Sequence, residues 1–126
     1  MTVVLDASAV LAVLNQETGA EVVMERLPGS MMSLVNAVEV GTKLVDGGMT
    51  IEAARDAMDL LEIAMVDLNK PLAEIAIRLR QKTRAVGLSL ADRACLALAL
   101  QEKAVAVTAD RIWAGLDVGC EIELIR

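Results

Sequence analysis

Short apolar runs alternate along this chain with longer segments of helical period. Residues 2–5 (Thr2-Val3-Val4-Leu5) form the first run and end at Asp6. A β-branched run of this kind reads as a strand buried on both faces. Ser8 to Leu14 reads as a short helix. Thr18-Gly19-Ala20-Glu21 has the spacing of a capping box, which predicts a second helix to about Leu27, stopped by Pro28-Gly29. Ser30 to Met32 is a second strand. Leu34 to Val45 reads as a helix on which Asn36, Glu39 and Lys43 make one narrow polar stripe. Gly47-Gly48 ends it, and Thr50 caps another helix from Ile51 to about Leu61. Ile63 to Val66 is a third strand. Lys70 to Val86 is a long helix with Pro71 in its first turn and Gly87 at its close. Ser89-Leu90-Ala91-Asp92 opens a mostly buried helix to about Glu102. Val105 to Thr108 is a fourth strand, a short helical turn carries Trp113, and Glu121 to Ile125 is an edge strand.

Strands alternating with helices imply a parallel sheet covered on both faces. Ligands in such sheets bind beyond the carboxyl ends of the strands. Asp6 and Asp110 both follow strands and belong on that rim.

Composition narrows the chemistry. The chain has 126 residues, suited to one domain spanning 1–126, and 56% of them are hydrophobic. Trp113 is the only aromatic residue, and there is no His. Ser-His-Asp and Cys-His catalysis, His-based zinc sites and paired-His ribonuclease mechanisms are therefore excluded. Stacking of RNA bases on an aromatic platform is disfavoured. Twelve Lys and Arg against 18 Asp and Glu give a net charge of −6. A polyanion would need a local basic patch or metal ions. Arg78, Arg80, Lys82 and Arg84 are one such cluster, though their spacing spreads them around the helix, and a solvated helix end explains them equally well. Cys95 and Cys120 lack metal-ligand spacing and read as free thiols. No signal peptide or membrane span is expected, and the chain reads as cytoplasmic.

Four acids stand out: Asp6, Glu39, Asp92 and Asp110. Each has a local reading. Asp6 and Asp110 could cap the turns that follow them, Asp92 is the last residue of a capping box, and Glu39 pairs with Lys43 at i,i+4. Periodicity leaves open whether the four converge.

"VVLDASAVLAVL" at 3–14, "SLVNAVEVGTKL" at 33–44, "LSLADRACLALAL" at 88–100 and "AVTADRIW" at 106–113 resemble, in order, the four acidic motifs of the PIN-domain nucleases. The compact opening resembles the VapC-type toxins of toxin–antitoxin pairs. The resemblance implies an α/β fold, a three-layer α/β/α sandwich around a parallel sheet of four to five strands. It also implies an acidic pocket in which Asp6, Glu39, Asp92 and Asp110 are catalytic and hold Mg²⁺ or Mn²⁺, with Ser8 and Thr108 in support. Hard oxygen donors without His or Cys select these cations, and a bound cation can activate water without a His base. The implied activity is metal-dependent endoribonuclease cleavage leaving a 5′-phosphate and a 3′-hydroxyl, acting on tRNA or another structured RNA. The implied partners are a VapB-like antitoxin and a second copy of the chain.

Two alternatives remain. A phosphoacceptor receiver domain would use Asp6, Asp67 and Thr108, but it lacks the adjacent acidic pair and has no Lys beyond Lys103. A PIN-like RNA-processing or binding module without a toxin role is the other. P-loop and Rossmann signatures are absent.

Overall fold

The structure, a computed structural model, describes residues 2–126. Its elements run in chain order as β1 (Val3–Leu5), α1 (Ala7–Leu14), α2 (Ala20–Arg26), β2 (Met31–Ser33), α3 (Leu34–Asp46), α4 (Ile51–Asp59), β3 (Ala64–Val66), α5 (Lys70–Thr83), α6 (Leu90–Glu102), β4 (Val105–Thr108) and β5 (Ile122–Leu124). Short 3₁₀ segments cover Arg84–Val86 and Arg111–Gly115.

The five strands form one parallel sheet in the order β3-β2-β1-β4-β5. β1 lies at its centre, which is why Val3, Val4 and Leu5 can all be apolar and all be buried. Val3 and Leu5 point into a core shared with α1, α2, α3 and α4. Val4 points the other way, into a core built with α5, α6 and Trp113. The result is an α/β/α sandwich with a five-stranded parallel sheet.

Strand order carries the functional consequence. From β1 the chain builds outward through β2 to β3, then returns to place β4 on the other side of β1. The crevice at such a reversal, beyond the carboxyl ends of the strands, is where this architecture leaves room for a ligand.

Two sequence expectations are corrected. The Thr18–Glu21 capping box does not form: the residue before α2 is Gly19, in the left-handed region at φ 95°, without a side-chain cap. The reason is tertiary. A Cβ on Gly19 would stand 2.5 Å from the Ile125 carbonyl oxygen, and the Thr18 carbonyl accepts from Arg126 at 2.9 Å. The long helix ends at Thr83, with Arg84–Val86 tightened to 3₁₀ and Gly87 left-handed at φ 68°. Thr83 Oγ1 turns back to the Leu79 carbonyl at 2.8 Å. Met65 is 39% exposed because β3 is an edge strand.

Other local signals act as read. Thr50 caps its helix, and Ser89 and Asp92 form a complete capping box. Asn69, which no sequence expectation named, caps α5. Trp113 is fully buried. No helix among the described residues is long and apolar enough to cross a membrane.

Candidate functional site

Asp6 is the residue after central strand β1, and its backbone N–H still bonds across to Val107 on β4. That placement buries the carboxylate to 4% exposure. Three donors hold it. Ser8 Oγ donates to Oδ1 at 2.7 Å, the Ala9 N–H to Oδ1 at 2.9 Å, and Thr108 Oγ1 to Oδ2 at 2.5 Å. Both hydroxyl hydrogens thus go to Asp6. The oxygen lone pairs are then free to accept the Ala109 N–H at Ser8 (2.8 Å) and the Asp110 N–H at Thr108 (3.0 Å). One network therefore ties the loop after β1 to the loop after β4.

Burial raises the Asp6 carboxyl from 3.8 to about 6, against the three hydrogen bonds and with a small addition from the negative charge of Asp92. Removal from water outweighs the donors because a buried carboxylate loses far more solvation than three bonds return.

Asp110 follows β4 by one residue and accepts the Ile112 N–H at 3.0 Å, capping the 3₁₀ segment that carries Trp113. Asp92 sits in the first turn of α6, where its Oδ2 accepts the Ser89 N–H at 2.9 Å. Glu39 faces Lys43 across one helical turn at 3.7 Å. Each acid therefore has the local partner that the sequence suggested. The same four also line one cavity of about 300 Å³, together with Ala7, Ser8, Asn36, Lys43, Ala109 and Arg126. The local and the convergent readings hold at once, since one carboxylate has two oxygens and about four lone-pair directions.

Three further residues of the site region received no role from the sequence. Asn36 is 1% exposed on α3 and lines the cavity. It stands three positions before Glu39, in the polar stripe of that helix, so its face was legible. Arg126 lines the cavity from the far end of the chain, held by Glu17 at 3.0 Å and by the Thr18 carbonyl. No local signal could have placed it. Arg93, beside Asp92, donates to the Ala76 carbonyl at 3.0 Å and so fastens the first turn of α6 to α5.

Arg78, Arg80, Lys82 and Arg84 are exposed and lie outside the cavity. Arg111 donates to the Arg126 carbonyl at 3.0 Å and is not a lining residue. Asp67 is exposed after edge strand β3, two strands from β1. A receiver's phosphoacceptor would have to stand beside Asp6, and this sheet order separates the two. Cys95 is a free thiol buried in the core, pushed up well above its usual range by burial, and Cys120 is free and half-buried.

The donor set suits a hard divalent cation: four carboxylates, with neither His nor Cys in the lining. Among the described residues no three acidic side chains stand together tightly enough to hold an ion as they are. A hydrated cation, with water spanning the gaps, fits such a cavity better than a bare one, and Mg²⁺ keeps its waters readily.

The family description "PIN domain" matches residues 3–118, and the chain belongs to that family. Its fold is that of several solved toxin–antitoxin structures. A toxin–antitoxin complex from Klebsiella pneumoniae has a chain similar at TM-score 0.78, with 20% identity and 98% of each chain covered. VapBC2 from Rickettsia felis bound to a promoter DNA fragment gives TM-score 0.75, with 15% identity and 98% of each chain covered. VapBC-1 from nontypeable Haemophilus influenzae gives 0.74, with 20% identity over 99% of this chain and 98% of that one. A comparison with curated proteins gives no match.

Proposed function

We propose that this protein is a metal-dependent endoribonuclease, the toxin of a type II toxin–antitoxin pair. The observation that carries the reading is the convergence of Asp6, Glu39, Asp92 and Asp110, from four separate elements, on one cavity of a PIN-domain chain. The toxin role is supported by the likeness over nearly full length to chains of VapBC complexes.

The four acids would hold Mg²⁺ or Mn²⁺, with Asp6 and Asp92 as the primary ligands and Asp110 and Glu39 completing the set. A bound cation supplies an activated water and a counter-charge for the phosphate. The rest falls to the chain. Ser8 and Thr108 aim the Asp6 carboxylate and keep a neutral-pH proton off it. Asp110, held through Thr108 and the Ile112 N–H, faces the same space. Lys43 and Arg126 are the cavity's cations and would meet the phosphate backbone of the RNA, whose approach the net charge of −6 otherwise opposes.

The antitoxin reading has its own support. Between α3 and α4 runs an apolar groove of about 520 Å³, lined among others by Val38, Val45, Ile51, Met58 and Met65. Val38 and Ile51 are 68% and 69% exposed. Apolar grooves between helices receive the apolar face of a partner helix, as a VapB-like antitoxin would offer. Self-association as a homodimer and a cytoplasmic setting belong to the same reading.

The test is cleavage of a labelled cellular RNA pool by purified, partner-free protein, with Mn²⁺, with EDTA, and with Asp92→Asn. Cutting that needs the metal and is lost in the variant is the expected result. Well-folded wild-type protein that neither cuts RNA nor binds Mn²⁺ overturns the proposal.

A further inference from the structure

Asn36 carries an observation that the four acids do not explain. Its side chain is 1% exposed. Nδ2 donates to the Ala91 carbonyl at 3.1 Å, across from α3 to the first turn of α6. A carbonyl can only accept, so this contact fixes which end of the amide is nitrogen. Oδ1 is then buried with no hydrogen-bond partner among the described residues. An orphaned buried acceptor gives up its solvation with nothing in return, which natural structures rarely tolerate without a ligand or a function. The residue that bears it lines the acidic cavity, on the same helix as Glu39 and bonded to the residue before Asp92.

The rest of the lining narrows what could satisfy it. Four of the nine other lining residues are carboxylates, acceptors like Oδ1 that repel it, and the donor side chains Ser8, Lys43 and Arg126 already face Asp6, Glu39 and Glu17. The missing partner must bring a hydrogen. Bound water polarised by a cation is the strongest donor that an acidic cavity can hold, and the acids are too far apart to enclose a bare ion. We propose that Asn36 is a positioning residue of the cation site: its carboxamide oxygen accepts a hydrogen bond from water in the hydration shell, while its nitrogen clamps α3 to α6. The proposal rests on the cation-site reading above. It adds a neutral fifth group to the acidic set, one that orients the hydration shell without adding charge.

The experiment separates the oxygen from the clamp. Mn²⁺ alone is titrated into metal-free protein at pH 8, with the signal of free Mn²⁺ followed by electron paramagnetic resonance. Asn36→Leu removes both functions and is expected to weaken Mn²⁺ binding about 10–100-fold, the usual effect of losing an outer-shell partner. Asn36→Asp loses the donor to Ala91 but keeps an acceptor oxygen and adds charge, so it should bind Mn²⁺ at least as tightly as wild type. Asn36→Ala replaces the leucine variant if circular dichroism shows that the latter does not fold. Weakening in the leucine variant without weakening in the aspartate variant supports the proposal. Equal weakening in both variants reduces Asn36 to a clamp and overturns it, as does wild-type affinity in both. Wild-type protein that binds Mn²⁺ no better than Asp92→Asn overturns the cation-site reading itself.

Discussion

A carboxylate taken out of water holds its proton more tightly, and Asp6 shows the consequence. Its midpoint near 6 in the folded chain, against 3.8 for a free carboxyl, means that the native state binds this proton more strongly than the unfolded state does. The stabilisation is complete below about pH 4 and is lost as pH rises through 6. The difference corresponds to about 3 kcal/mol at pH 8. Asp6→Asn should therefore make the metal-free protein more stable at pH 8, by about 1–3 kcal/mol, with the gain vanishing near pH 4. Urea unfolding at the two pH values checks this, and a pH-independent difference would contradict it. Thr108→Val tests the same network from the other side. It removes the 2.5 Å bond to Asp6 and orphans the Asp110 N–H, at a cost of about 1–3 kcal/mol. A carbon-13 titration should then find the Asp6 midpoint higher than in wild type, because the hydrogen bond that favoured the charged form is gone.

Among the elements, α2 shows most plainly how a local signal loses to packing. Thr18-Gly19-Ala20-Glu21 has the letters of a capping box, yet Gly19 adopts φ 95° because the segment after β5 passes directly over it. Arg26 and Glu123 pair at 2.6 Å, and Arg126 reaches Glu17 and Thr18, so the end of the chain is fastened over α2. Gly19→Ala must either strain its backbone or push Ile125 away. We expect a loss of about 1–3 kcal/mol from the positive φ and the collision together, read as a lower Tm. Mn²⁺ affinity should fall less than in Asp92→Asn, since Arg126 lines the cavity but the acids stand on other elements. By contrast, the capping box of α6 forms because Ser89 and Asp92 need only each other's backbone. Signals that close within four residues were legible where no distant segment packs over them. Those that depend on what lies overhead were not.

For the molecule as a whole, the acidic cavity gathers like charges, and a cation bound there would offset their repulsion. Four carboxylates face two cations there, one of the acids being nearly buried. Binding to the native state alone stabilises it by about 2.7 kcal/mol at a free concentration one hundred times Kd. For a chain of this size that is on the order of 10 °C in Tm. Calorimetry with Mn²⁺ and then with EDTA should show the rise and its reversal, and Asp92→Asn should abolish both. A wild-type Tm unmoved by Mn²⁺ would contradict cation binding to the native state, and a rise that survives in Asp92→Asn would place the site elsewhere.

The alternation of buried strands and amphipathic helices was enough to specify a parallel α/β sandwich, because each element's periodicity states which of its faces must leave water. The same periodicity put Asp6 and Asp110 at strand ends and Asn36, Glu39 and Lys43 on one helical face. It could not order the strands. Placing β4 beside β1, rather than beyond β3, brings the loops bearing Asp6 and Asp110 into one hydrogen-bonded network and leaves Asp67 at a distant edge. The contact of Asn36 with Ala91 and the arrival of Arg126 at the cavity are of the same kind. They join residues far apart in the chain, through contacts that exist only once the core has closed. Local patterning encodes what each segment buries; which segments meet is settled by the packing of the whole.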